Sequence, residues 1–151
     1  MSNFERFFLE DGSYIRFKKS GSGRPLVLLH TIRNRLEYFD RVTPFLTKFF
    51  TVYAIDLPGF GDSPVHKDVN YDQQYIAKAV VDFVAKKKLS KLTFVGESIG
   101  GVLCTTIALM LPKKVERIFV FNPYDYDTFF GEGISRANQF SRFIIWSMSL
   151  P

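Results

Sequence analysis

The sequence predicts an α/β fold in which an antiparallel hairpin opens a mostly parallel sheet with helices on both faces. Two alternating segments, "FERFFLEDG" and "SYIRFKKSG", meet at Asp11-Gly12, which is a strong hairpin signal. Four apolar runs then follow, of the kind found in strands buried on both faces: "PLVLLH", "FFTVYAIDL", "LTFVG" and "RIFVFNP". Helix-like stretches separate these runs, and such alternation favours parallel strands joined by helical crossovers.

Three stretches between the apolar runs have helical periodicity. The first covers about residues 35–48 and contains Pro44, which is expected to end or kink it. The second covers residues 71–88, and Asn70 with Gln73 resembles a capping box at its start. The third, residues 99–111, is apolar nearly all round and stops at Pro112.

Composition indicates one globular domain, or part of one, and disfavours several classes of partner. The chain has 151 residues, 46% of them hydrophobic and 17% aromatic, which is much apolar area for a short chain to cover. The net charge of +5 comes from scattered basic residues without interleaved aromatics, so nucleic-acid binding is not predicted.

Cysteine usage and the N-terminus favour a cytoplasmic protein. The single cysteine, Cys104, lies in an apolar run, which fits a core residue in a reducing compartment. The N-terminal "MSNFERFFLEDG" has acidic residues where a signal peptide carries an apolar run, and no stretch is long enough for a membrane span. We therefore expect no membrane association.

The segment Gly96-Glu97-Ser98-Ile99-Gly100 matches the pattern G-x-S-x-G between a predicted strand and a predicted helix. In that context the glycines allow a sharp strand-to-helix turn that lifts the serine hydroxyl above the sheet. The simpler alternative is a small residue at a tight turn. The context favours Ser98 as a catalytic nucleophile.

With this motif and three others, the chain resembles the α/β-hydrolase superfamily over about residues 13–123. "PLVLLH" is similar to the strand that leads into the family's oxyanion loop, "AIDLPGFGDS" to the next strand and loop, and "NYDQQYIAKAVVDFV" to the helix before the serine. The resemblance implies that Ser98 is catalytic and that the backbone N–H groups of Ile32 and Ile99 form the oxyanion hole. It implies a small ester or acyl substrate, with no cofactor and no metal.

The chain departs from the family pattern at Thr31, where the family usually has glycine after the histidine. This side chain puts the position of the Ile32 donor in question. His30 is interpreted as a residue that orders the loop rather than as a catalytic group. Asp56 and Asp62 are interpreted as carboxylates that accept hydrogen bonds from backbone N–H groups in a turn.

The catalytic base is missing from its expected place. In this superfamily the triad runs Ser, acid, His along the chain, but both histidines, His30 and His66, precede Ser98. His66 is an alternative base that would have to come from a neighbouring crossover. Asp125 is a candidate acid, although a solvated loop carboxylate is the simpler interpretation. Without a His, the chain alone is expected to be nearly inactive.

We expect residues 1–123 to be the N-terminal part of a hydrolase core, apparently truncated after about the sixth strand, and residues 124–151 to begin the cap helices. Three functions compete: the N-terminal part of a serine hydrolase, a binding protein that keeps the fold without chemistry, and a split hydrolase completed by another chain. Without the final strands, "RIFVFNP" becomes an exposed sheet edge through which the isolated chain can self-associate.

Overall fold

The structure, a computed structural model, describes residues 4–123 as a single six-stranded sheet with helices on both faces. The strands are β1 (Phe4–Phe8), β2 (Tyr14–Ser20), β3 (Arg24–Leu29), β4 (Phe50–Ile55), β5 (Leu92–Glu97) and β6 (Val115–Phe121). The helices are a 3₁₀ turn (Leu36–Phe39), α1 (Thr43–Leu46), α2 (Gln73–Lys86) and α3 (Ile99–Met110).

The strand order is β1-β2-β4-β3-β5-β6. β1 pairs with β2 and β2 pairs with β4 in antiparallel fashion, whereas β3 pairs with β4 and β5, and β5 with β6, in parallel. The predicted mostly parallel sheet with an antiparallel opening is therefore confirmed. Gly12 has φ +82° in the predicted hairpin, and the Asp11 carboxylate accepts the Ser13 N–H at 2.9 Å.

The main core lies between the sheet and the two longer helices. Phe83 of α2 contacts Phe17 edge-on, with ring centroids 5.0 Å apart, and both side chains are fully buried. On the opposite face a smaller cluster packs beneath the 3₁₀ turn and α1, and its buried members are Leu26, Leu28, Leu36, Phe39, Val52 and Ala54. Among residues 4–123, the helices on this face are the two four-residue elements, the 3₁₀ turn and α1.

Two local predictions were wrong. The predicted helix at about 35–48 is two four-residue pieces, because Pro44 begins α1 near its N-terminus instead of ending a longer helix. The predicted capping box at Asn70 and Gln73 is replaced by Asp72, whose side chain accepts the Tyr75 N–H at 2.8 Å.

β6 forms one edge of the sheet, and within residues 4–123 it pairs only with β5. Phe119 and Phe121 are about half exposed, at 50% and 56%. In the same part of the chain, no helix has the length and apolar character needed to cross a bilayer.

Candidate active site

Ser98 lies where β5 ends and α3 begins, at the carboxyl edge of the parallel strands, as the sequence predicted. Its backbone has φ 55° and ψ −120°, which is a strained conformation for a residue with a side chain. Its N–H donates to the carbonyl of Phe121 on β6 at 2.9 Å, and its carbonyl accepts the N–H groups of Gly101 and Val102. Strand and helix contacts together therefore hold the strained turn.

Close packing explains the glycines on either side of Ser98. A Cβ at Gly96 would lie 2.2 Å from the carbonyl oxygen of Gly100, and one at Gly100 would lie 2.2 Å from the carbonyl oxygen of Leu29. Any side chain at either position would force α3 away from the sheet. The first turn of α3 is thus packed directly against the end of β3, where the loop containing Ile32 begins.

The loop after β3 is held by His30, whose ring is fully buried. The Nδ1 atom lies 2.7 Å from the Thr31 carbonyl oxygen, and Nε2 lies 3.0 Å from the Leu57 backbone nitrogen. Because the Leu57 N–H must donate to Nε2, the proton sits on Nδ1 and donates to Thr31. Burial lowers the pKa of His30 and keeps the ring neutral. With both nitrogens in use, His30 orders the loop, as predicted.

Thr31 is not among the described residues with a positive φ, so its side chain does not strain the backbone of this loop in that way. The left-handed residue of this loop is Arg33, with φ 57°. Ile32 is 46% exposed and Ile99 is half-buried. Within residues 4–123, neither backbone N–H donates to a turn or loop carbonyl.

A buried ionic cluster fixes the other end of this loop, and sequence reasoning missed its centre, Arg16. The Asp56 carboxylate is fully buried and accepts hydrogen bonds from Arg16 Nε at 2.6 Å, the Leu36 N–H at 2.7 Å and the Asp62 N–H at 2.9 Å. Arg16 also pairs with Glu37 and with Asp62, each at 2.7 Å. Asp56 therefore joins the loop after β3 to the loop after β4.

The charges of this cluster stabilise one another. Burial alone would lower the pKa of Arg16, but its hydrogen bonds to Asp56 and Glu37 raise that pKa. Burial alone would raise the pKa of Glu37, but its hydrogen bond to Arg16 lowers it. The signal that could have revealed Arg16 is its position in β2, between the buried Ile15 and Phe17.

Of the other two candidate acid–base residues, only His66 lies in the described part of the chain. His66 is exposed, its backbone N–H donates to the Tyr71 hydroxyl at 2.9 Å, and no hydrogen bond joins it to Ser98 in the described part of the chain. Asp125 lies outside the described residues. Within residues 4–123, no His, Asp or Glu side chain forms a hydrogen bond with the Ser98 hydroxyl.

Comparison with known proteins agrees with this fold. A family model described as alpha/beta hydrolase fold matches residues 24–142. The chain is 31% identical over 103 residues to a pimeloyl-[acyl-carrier protein] methyl ester esterase of Photobacterium profundum, which covers 68% of this chain and 38% of that protein. It is 31% identical over 126 residues to an abhydrolase domain-containing protein, abhd-5.2, of Caenorhabditis elegans, covering 81% of this chain and 28% of that protein.

Solved structures give the same result. The structure of the epoxide hydrolase CorEH without ligand superposes with a TM-score of 0.73 at 30% identity, covering 82% of this chain and 42% of that chain. The present chain thus spans less than half the length of these relatives. The family match covers well over half of the 151 residues and agrees with the mostly parallel sheet. The chain belongs to the alpha/beta hydrolase fold family.

Proposed function

We propose that this chain supplies the nucleophile and the oxyanion hole of a serine hydrolase that acts on a small ester or related acyl substrate. The observation that carries the proposal is the strained backbone of Ser98, with φ 55°, at the end of a parallel strand. A strained strand-to-helix turn of this kind presents the serine oxygen to substrate. The N–H groups of Ile32 and Ile99 are the proposed donors to the oxyanion, and such donors typically lower a barrier by about 3 kcal/mol each.

The chemistry of serine favours an ester over an epoxide, although relatives of both kinds are similar to this chain. Attack on an ester carbonyl gives an acyl-serine, which water can hydrolyse in a second step. Attack on an epoxide carbon would give a serine ether, which water does not readily cleave. The methyl ester esterase is therefore the better guide to substrate class.

The chain alone is proposed to be nearly inactive, because an unassisted serine hydroxyl is a poor nucleophile at neutral pH. No histidine follows Ser98 in the sequence, and within residues 4–123 His66 makes no hydrogen bond to it. The base would come from polypeptide outside this sequence, either in a longer form of the same chain or in the second chain of a split hydrolase. The alternative is a binding protein that has the same fold but no catalytic activity. Acyl trapping of Ser98 distinguishes the hydrolase from this binding protein.

Several accompanying assignments belong to the same proposal. Residues 1–123 form the N-terminal part of the core, residues 124–151 begin the cap, and β6 mediates self-association. Because Cys104 is free and buried, with burial raising its pKa to about 12, a reducing cytoplasmic location fits the chain. The scattered basic charge supports no nucleic-acid site.

Acyl trapping tests the proposal. The full chain is incubated with p-nitrophenyl acetate and excess imidazole as an external base, and the modified residue is located by peptide mass spectrometry. We expect one acetyl group on Ser98, none on that peptide in Ser98→Ala, and slower labelling without imidazole. Labelling only of lysines, at the same rate in both proteins, would contradict the proposal and favour the binding protein.

A further inference from the structure

The N–H group of Ile32, the proposed oxyanion donor, belongs to the same peptide unit as the Thr31 carbonyl. A peptide unit is planar, and in its trans form the C=O and the N–H point in opposite directions. No peptide bond within residues 4–123 is cis. A contact that fixes the direction of the Thr31 carbonyl therefore also fixes the direction of the Ile32 N–H.

The contact that fixes this carbonyl is made by the ring of His30. Its Nδ1–H donates to the Thr31 oxygen over 2.7 Å, at the short end of the range for such a bond. Because the ring is fully buried, the Thr31 carbonyl is held towards the interior. The Ile32 N–H then points away from the ring, and the Ile32 side chain is exposed.

The backbone N–H of Leu57 selects the ring tautomer that makes this contact possible. It lies 3.0 Å from Nε2 of His30, and only a ring nitrogen without a proton can accept it. The neutral ring therefore has its proton on Nδ1, the atom that faces the Thr31 carbonyl. In the other tautomer, two N–H groups would meet at Leu57 and a lone pair would face the carbonyl oxygen. The tautomer and the orientation of the peptide thus depend on each other.

Packing holds His30 on both its side chain and its backbone. The ring of Phe60 contacts the imidazole edge-on, with centroids 5.9 Å apart and planes at 73°. A Cβ at Gly100 would lie 2.7 Å from the His30 carbonyl oxygen, so α3 lies directly against this part of the loop. His30 is therefore fixed in place before any substrate binds, which is the condition for a preorganised oxyanion donor.

We propose that His30 is a positioning residue of the oxyanion hole: it holds the Thr31–Ile32 peptide so that the Ile32 N–H points at the oxyanion. The hydrogen bonds run head to tail, from the Leu57 N–H through the ring and the Thr31 carbonyl to the Ile32 N–H. Such chains of hydrogen bonds strengthen one another. The inference rests on the proposed function, and it gives the buried ring a defined effect on one donor. His30 itself does not touch substrate.

The test compares p-nitrophenyl acetate with its thionoester, in which sulfur replaces the carbonyl oxygen. Sulfur is a weak hydrogen-bond acceptor, so the thionoester gains little from an oxyanion hole. In both reactions excess imidazole takes the proton of Ser98, and the serine oxygen bonds to the carbonyl or thiocarbonyl carbon. p-Nitrophenolate leaves with the electron pair of the broken C–O bond. Peptide mass spectrometry of the full chain measures the rate of Ser98 acylation by each reagent.

The ratio of the two rates, ester over thionoester, reports on the oxyanion hole and not on the amount of folded protein. His30→Leu lacks both ring nitrogens, and we expect it to lower this ratio by at least about tenfold. His30→Gln should stay close to the native ratio, because its amide can donate to Thr31 and accept from Leu57. The control is Val27→Ala, which removes buried atoms from the same strand and should leave the ratio unchanged.

Circular dichroism shows whether each variant is folded before its rates are measured. Labelling of Ser98 with an unchanged ratio in His30→Leu, or with an equal fall in Val27→Ala, would overturn the inference and leave the proposed function standing. If neither reagent labelled Ser98 in the native chain, the proposed function would fail and the inference with it.

Nitrogen-15 NMR of the native chain with labelled histidine tests the geometry without any variant and without any reaction. The spectrum distinguishes a ring protonated on Nδ1 from one protonated on Nε2. We expect the proton of His30 on Nδ1. A proton on Nε2 would overturn the inference, because the ring could then accept nothing from Leu57 and donate nothing to Thr31.

Discussion

Gly100 packs against the end of β3 so closely that a Cβ on it would lie 2.2 Å from the carbonyl oxygen of Leu29. This contact sets the distance between the helix that follows Ser98 and the loop that carries Ile32. Of the two N–H groups proposed for the oxyanion hole, that of Ile99 belongs to the helix and that of Ile32 belongs to the loop. The geometry of the candidate site thus depends on the absence of a single side chain.

Gly100→Ala should destabilise the protein by about 3 kcal/mol or more, because backbone atoms of β3 would have to move. The control is Gly12→Ala, where a Cβ would meet nothing within 4 Å and the cost is only that of a positive φ, about 1 kcal/mol. Urea unfolding of both variants measures the difference. Equal losses at the two positions would contradict the close approach described here.

Asp56→Asn should cost about 3–5 kcal/mol, because it breaks a fully buried ion pair and leaves Arg16 without its closest partner. Asp40→Asn removes an exposed pair with Lys18 at 3.3 Å and should cost less than about 1 kcal/mol. Thermal or urea unfolding compares the two. An Asp56 variant as stable as the Asp40 variant would show that the cluster does not hold the two loops together.

His30 makes stability depend on pH in a defined direction. Its pKa in the folded chain is lowered by burial from an ordinary value of 6.5, so the unfolded chain binds the proton more readily. The stability from neutral His30 is therefore complete above pH 6.5 and is lost as the pH falls below that value towards the folded pKa. In His30→Gln the unfolding free energy should be lower and should change less between about pH 7 and pH 5. An unchanged slope would contradict the neutral, buried ring.

Within residues 4–123, the two edge strands of the sheet, β1 and β6, differ in a way that predicts self-association through β6. β1 carries Glu5 and Arg6 in its middle, and such charges protect an edge strand. β6 ends in an apolar run, with Phe119 50% exposed. Phe119→Lys should therefore lower the average mass measured by light scattering, whereas Phe45→Lys, which alters a 65% exposed residue of α1, should not. If the two substitutions lowered the average mass equally, the chain would not self-associate through β6.

Much of the fold was predictable because each central strand is a continuous apolar run, and each run is followed by a stretch of different periodicity. The position of Ser98 followed from the spacing of its glycines. The 35–48 helix was mispredicted because its apolar stripe has the right period, while Val42 and Phe45 remain 42% and 65% exposed in the structure. Sequence spacing could not reveal which apolar positions are left uncovered.

Arg16 was not identified from the sequence. It is a charged residue in a strand, and its role depends on a partner distant in the chain, Asp56, which lies 40 residues away. His30 and Asp56 were interpreted correctly as loop-ordering residues because short polar side chains beside a turn commonly bind backbone N–H groups.

The most direct test of the account is p-nitrophenyl acetate hydrolysis by the purified chain without added base, compared with Ser98→Ala and His66→Ala. We expect all three proteins to hydrolyse the ester slowly and at rates within about tenfold of one another, because Ser98 is proposed to lack a base in this chain. Rapid turnover that is abolished in Ser98→Ala would contradict it. If His66→Ala abolished the same turnover, the base would lie within this chain.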